Sequence, residues 1–303
     1  MSAAERTAAR STMQKAELGR TPEQQRADFD AGFASRPLGD DVTLTERTLG
    51  GVPALEVRVD GPDNPGDAAG VILYLHGGSY IVGSARTGAN LAAPLSRRSG
   101  IPAVSLDYRL APEHPFPAAI HDALAAYREL VESGQNVVIA GDSAGGGLAL
   151  ATMLAARAEG LPQPAGAVVF SPWTDVTLNS PSMHERGDYD PLFSRANMAE
   201  AAEHYLGGAD AKNELASPIF ADLQGLPPLL VQVGTAEILL DDSLRLVARA
   251  AEQEVDVSLD VVAGAPHVYQ YFAGMLPEAD EALDHAATFV KNRLRDNSVG
   301  GVA

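Results

Sequence analysis

"VVIAGDSAGGGLAL", Val137 to Leu150, is the stretch whose reading decides the fold. An apolar run ends at Gly141-Asp142-Ser143-Ala144-Gly145, and the helix-forming "AGGGLALATMLAARA" begins at once. A strand that turns abruptly into a helix strains its central residue and crowds the backbone on both sides. Glycines two positions before and after Ser143 relieve that crowding and leave the serine oxygen exposed at the tip. A phosphate-cradling loop would need a lysine after its glycines, and a dinucleotide site would need G-x-G-x-x-G; neither spacing occurs here. Ser143 is therefore a candidate nucleophile.

Working outward, the neighbouring apolar runs are "GVILYLH", "IPAVSLD", "NVVIAG", "GAVVFS", "PPLLVQVG" and "VSLDVV". Such runs suit strands buried on both faces of a parallel sheet. Helical patterns over 87–98, 117–133, 144–159, 241–253 and 279–295 separate them, which predicts right-handed βαβ units and an α/β fold. Before this region, "VTLTERTL" and "ALEVRVD" alternate apolar and polar residues as a half-exposed hairpin does, with "GGVP" as its turn. Residues 1 to about 40 read as polar helix, with Thr21 as a cap and Pro22 at the first helical position. About fifty residues between "SPWTD" and "LPPLLVQVG" lack a clear strand and hold the helix-like "SRANMAEAAEHYL". An insertion of that length predicts a lid or cap.

Acyl transfer at Ser143 would need three further parts. Negative charge growing on a carbonyl oxygen requires donors fixed in advance. "VILYLHGGSY" puts Gly77 and Gly78 directly after a strand, and Ala144 opens the helix behind the serine. Their N–H groups, the last helped by the helix dipole, are the candidate oxyanion donors. A base must follow the serine in the order serine, acid, histidine. Of the seven histidines, His184 and His204 fall in the insertion and His285 within the last helical pattern. His267, in "AGAPHVY" after the last strand, is the candidate base. For the acid, "LLVQVGTAEILLDDS" offers Glu237, Asp241 and Asp242. Glu237 stands closest to the strand end and is favoured; Asp241 and Asp242 remain alternatives better suited to capping the next helix.

Composition narrows the field. The chain has 303 residues, ample for a buried core, with 46% hydrophobic and 20% charged residues. A net charge of −18 argues against nucleic acid and against stable binding to anionic membranes. There are no cysteines, which removes disulfides, thiolate metal sites and cysteine nucleophiles together. No H-E-x-x-H or clustered histidine set suggests a metal, so no cofactor or metal is expected. The charged N-terminus lacks a secretory apolar core, and no run is long enough to span a bilayer. The simplest reading is a cytoplasmic protein.

Jointly, "HGGSY" (76–80), "DYRLAPEHPFPAA" (107–119), "GDSAGG" (141–146), "SPWTD" (171–175), "LPPLLVQVGTAEILLDD" (226–242) and "PHVYQYF" (266–272) resemble the bacterial hormone-sensitive-lipase-like esterases of the α/β-hydrolase superfamily. The resemblance covers essentially the whole chain. It implies an eight-stranded α/β-hydrolase core at 46–303, with cap helices from 1–45 and from an insertion at about 176–215. It also implies a cofactor-free serine esterase for small, short-acyl esters. Ser143 matches the nucleophile, His267 the base, and Gly77, Gly78 and Ala144 the oxyanion donors. Two departures stand out: Ser79 replaces a frequent third glycine, and Glu237 stands where the acid is commonly Asp. Asp107 and Arg109 are expected to pair near the site. Removal of acetyl groups from a metabolite, or lactone opening, would use the same chemistry. A non-catalytic receptor on this scaffold, like the plant gibberellin receptors, would lack the working histidine. "VDVSLDVV" reads as an edge strand that invites a homodimer.

Overall fold

The computed structural model describes residues 9, 11–13, 18–34, 36–60 and 70–299. Most of the helix expected over the first twenty residues lies outside these. The eight strands are β1 (Val42–Leu49), β2 (Val52–Val59), β3 (Val71–Leu75), β4 (Ala103–Leu106), β5 (Val137–Asp142), β6 (Gly166–Phe170), β7 (Leu229–Ala236) and β8 (Val257–Pro266). They form one sheet in the order β1-β2-β4-β3-β5-β6-β7-β8. β1 and β2 pair antiparallel, β2 meets β4 antiparallel, and every pairing from β4 to β8 is parallel. The hairpin turn is Gly50–Gly51 alone, because Leu49 already pairs with Val52. Strand β2 thus begins two residues earlier than its alternation suggests.

Among the described residues from 18 onward, the α-helices are α1 (Pro22–Ala34), α2 (Ala85–Ser99), α3 (Ala118–Glu132), α4 (Ala144–Ala158), α5 (Pro181–Glu185), α6 (Arg195–Leu206), α7 (Leu240–Glu252) and α8 (Pro277–Val299). Thr21 and Gln24 cap α1 reciprocally: each side chain accepts the other's backbone N–H, at 3.3 and 3.0 Å. The central strands show why the apolar runs are unbroken. Leu73, Leu75, Ile139 and Val169 face one core, shared with α3, α4 and α7. Ile72, Tyr74, Val138, Ala140, Val168 and Phe170 face the other, shared with α2 and α8. A period of two with both faces covered favours apolar side chains at nearly every position, and a buried polar one such as Asp142 needs its own hydrogen-bond partners.

The chain winds from β3 outward to β4, then crosses back to β5 on the other side of β3. At such a reversal, loops leaving the carboxyl ends of adjacent strands part and leave a crevice, the usual place for a ligand in an open α/β sheet. The H-G-G loop leaves β3 and the serine turn leaves β5, so both border it. The insertion carries α6 where expected, and also α5, whose five residues are too short for periodicity to reveal.

One expectation fails. Arg109 does not pair with Asp107 but makes a bidentate contact with Asp122 of α3, at 2.7 and 2.9 Å. Asp107 instead accepts the N–H of Ala85 at the start of α2, 3.0 Å away. Each side chain is taken up by a different helix, Asp107 by the start of α2 and Arg109 by Asp122 of α3, partners far along the chain that the local spacing does not show.

Candidate active site

Ser143 follows β5 with φ 54° and ψ −121°, a left-handed conformation that a non-glycine residue adopts only under constraint. Its N–H is held by Phe170 O at 2.8 Å, and its carbonyl receives Gly146 N at 3.0 Å and Trp173 N at 2.9 Å. The flanking glycines are sterically required. A Cβ on Gly145 would lie 2.0 Å from Leu75 O, and one on Gly141 would lie 2.4 Å from Gly145 O, backbone atoms that cannot swing aside. The sequence therefore builds a turn that holds the serine at the mouth of the sheet. Its hydroxyl makes no capping bond to α4.

At the exits of β7 and β8, His267 Nδ1 lies 2.6 Å from Glu237 Oε2, with His267 4% and Glu237 0% exposed. Glu237 directly follows the last residue of β7, and His267 the last of β8. The other glutamate oxygen, Oε1, accepts from Ser171 Oγ at 2.8 Å and Gly234 N at 2.9 Å. Ser171 Oγ in turn accepts the N–H of Val268 at 3.1 Å. One hydroxyl thus ties the exit of β6 to both the acid and the histidine loop. Nothing in the motif pattern singled out Ser171 beyond its place in "SPWTD".

Asp241 and Asp242 are occupied elsewhere. Asp242 Oδ2 accepts Thr174 N and Asp175 N, both at 2.9 Å, and Asp241 accepts Ser182 N at 2.6 Å. They fasten α7 to the start of the insertion. Burial pushes the Asp242 carboxyl up to about 7 despite these bonds.

Burial opposes a charge on His267, but the Glu237 carboxylate, with Asp190 and Asp142 beyond it, outweighs burial and raises its pKa. Nε2 of His267 has no hydrogen-bond partner among the described residues, so the Ser143–His267 bond is not closed here. Such bonds often tighten only with substrate in place. His184 and His285 are exposed, and His285 pairs with Asp260 at 2.7 Å. His204 is half-buried on α6.

The two glycines of the candidate oxyanion loop are placed differently. Gly77 N–H is directed to Asp142 Oδ1 at 3.0 Å and is already committed. Asp142 Oδ1 also accepts Tyr74 Oη at 2.8 Å, and Oδ2 accepts Tyr271 Oη at 3.4 Å. Burial raises the Asp142 carboxyl above its ordinary range, against these hydrogen bonds. The middle residue of the serine motif is thus a clamp on the H-G-G loop, a role that G-x-S-x-G leaves unspecified. The next two N–H groups, of Gly78 and Ser79, have no partner among the described residues, and Ala144 N–H is free by its position at the start of α4. Ser79 takes φ 55° where a glycine would be relaxed. His76 is held neutral, burial lowering its pKa to about 4, with Nδ1 2.7 Å from Gly77 O.

Two outer segments close on these loops. Arg26 of α1 donates to Ile81 O at 2.8 Å and Ala111 O at 2.9 Å. From the insertion, Tyr205 stacks on Tyr80 at 3.8 Å, and the Phe193 ring meets the His267 ring edge-on at 5.0 Å. Among the described residues no group of three or more His, Asp or Glu side chains is arranged to hold a metal ion. Nor is any helix there long and apolar enough to cross a membrane.

The family described as alpha/beta hydrolase fold matches residues 72–271. An acetyl-hydrolase of Streptomyces hygroscopicus is 41% identical over 270 residues, covering 88% of this chain and 87% of that one. An esterase of Acinetobacter venetianus is 34% identical, over 90% of each. A crystal structure of an esterase from the bacterial hormone-sensitive lipase family superposes with a TM-score of 0.91 at 39% identity, over 97% of this chain and 99% of its own. With a strained serine turn, a buried acid–histidine pair and this sheet order all in place, the chain belongs to the α/β-hydrolase family, among the bacterial hormone-sensitive-lipase-like esterases.

Proposed function

We propose that the protein is a serine carboxylesterase that hydrolyses small, short-acyl esters through an acyl-enzyme intermediate. Ser143 Oγ attacks the ester carbonyl as His267 Nε2 takes its proton. The C–O bond to the alcohol then breaks as the same nitrogen returns the proton to the leaving oxygen. Water, deprotonated by His267, releases the acid and restores Ser143. Glu237 holds the imidazole through Nδ1 and stabilises its charged form. Gly78, Ser79 and Ala144 are assigned as donors to the oxyanion, with Gly77 replaced in that role because Asp142 holds its N–H.

The observation that carries this reading is the buried 2.6 Å contact between His267 and Glu237 at the strand exits beside the Ser143 turn. A receptor on the same scaffold has no need of it. The acetyl-hydrolase relative supports acetyl esters as the substrates to try first. Residues 1–45 and the insertion at 176–215 act as a cap over the catalytic domain 46–303, a role supported by the contacts of Arg26, Tyr205 and Phe193. The outer edge of β8, with Val261 44% exposed, is the face assigned to pairing of two copies; light scattering at micromolar concentration checks it, a monomeric mass counting against it.

The decisive experiment pairs turnover of p-nitrophenyl acetate and butyrate with stoichiometric organophosphate labelling. Ser143→Ala is expected to lower kcat on the order of 10⁴-fold or more. The wild type should take one phosphoryl group, located on Ser143. Near-normal turnover by Ser143→Ala would remove the serine from the mechanism.

A further inference from the structure

The inserted segment does more than lie over the site. Three of its side chains grip the backbone on either side of Glu237. Arg186 Nη1 donates to Thr235 O at 2.5 Å, and Ser182 Oγ donates to Ile238 O at 2.7 Å. Asp190 Oδ2 accepts Ile238 N–H at 2.9 Å. The other oxygen of Asp190 folds its own loop, accepting Leu192 N at 2.8 Å and Phe193 N at 2.9 Å. That loop delivers the Phe193 ring to the edge of His267. Asp190 is 1% exposed, so its carboxylate is kept in place by these three N–H groups rather than by water.

We propose that Asp190 is a positioning residue for the acid–base pair, one carboxylate setting both the backbone beside Glu237 and the aromatic contact on His267. This rests on the esterase reading above. The physical argument is one of shared rigidity. Glu237 and His267 leave neighbouring strands that pair at Ala236 and Pro266, and Ser171 ties both exits from within the sheet. But the backbone at Ile238 and the Phe193 ring beside the imidazole are both held by Asp190 of the insertion. Asp190 joins the two through bonds of ordinary length to fixed backbone donors. One carboxyl group accepts from three N–H groups at once. An asparagine there would offer a donor to one side, and an alanine would offer nothing to either. Misplacement of a catalytic group by a fraction of an ångström is enough to slow proton transfer.

The test is turnover per titrated active site in the full-length protein. Asp190→Asn and Asp190→Ala are assayed on p-nitrophenyl acetate, with active sites counted by organophosphate uptake. A positioning role predicts kcat per titrated site about 10-fold lower in Asp190→Asn and about 100-fold lower in Asp190→Ala. KM should stay within about threefold, and phosphorylation of Ser143 should slow in parallel. A purely structural role would instead reduce the number of titratable sites and leave turnover per site unchanged; that result overturns the proposal. If neither variant folds, Phe193→Leu decides: a loss of about threefold or more in kcat per site supports the proposal, and a wild-type value overturns it. Wild-type protein that takes no label on Ser143 would instead sink the esterase reading itself. Labelled wild type with unaffected Asp190 variants sinks only the positioning role.

Discussion

Ser143 and the oxyanion loop are tied to each other from inside the sheet, through Asp142, whereas Glu237 and His267 are tied partly from outside it, through Ser182, Arg186 and Asp190. The first half sits at the exits of β3 and β5, adjacent parallel strands with apolar side chains on both faces. Its geometry follows from local backbone rules and one buried carboxylate. The second half sits at the exits of β7 and β8, where β8 is the edge of the sheet and only the last two of its ten residues are buried. A less constrained edge needs support from elsewhere, and the insertion supplies it. The proposed nucleophile is thus held by the core, while the proposed acid–base pair is held from the insertion as well.

His267→Ala tests the second half with the largest expected effect. It should lower kcat on the order of 10⁴-fold or more while leaving the Asp142 clamp intact, so thermal unfolding should remain cooperative. Glu237→Gln comes next, at about 10³- to 10⁴-fold. It also moves the pH profile. Only neutral His267 accepts a proton, so wild-type kcat/KM should fall as pH drops through a limb placed above the ordinary histidine value of 6.5. Without the glutamate charge, burial acts with less opposition and the limb should shift to lower pH. An unmoved limb would break the assignment of Glu237 as the partner that raises His267.

Asp142→Ala probes the first half. It leaves Gly77 N–H and Tyr74 Oη without their acceptor, which should cost about 1–3 kcal/mol in chemical denaturation. The freed loop should lower kcat about 100-fold, in line with losing an oxyanion donor. If its main effect were instead a shift of the histidine limb, the division into two separately anchored halves would fail. Ser171→Ala is the mildest. Removing one hydrogen bond from Glu237 should cost about 10-fold in kcat. An effect as large as that of Glu237→Gln would show that Ser171, not the insertion, carries most of the support.

The chain's own pattern was enough to place Ser143, because the strain of a strand-to-helix turn demands glycines at fixed spacing and nothing else in the molecule competes for them. It was also enough for the parallel sheet, since unbroken apolar runs have no stable home except between two layers of helices. The position of His267 directly after the last strand could be read from strand order. Other features were invisible at that level because they join residues far apart. Gly77 and Gly78 look equivalent in "HGGSY", and only the folded position of Asp142, 65 residues on, takes one N–H out of play and leaves the other. Glu237 could be told from Asp241 and Asp242 only once β7 ran on to Ala236 and turned the two aspartates toward residues 174–182. The Arg109–Asp122 pair and the grip of Asp190 are of the same kind. Backbone strain and apolar periodicity are local and can be written along a chain; which carboxylate meets which N–H is decided by distances that exist only after the chain has closed on itself.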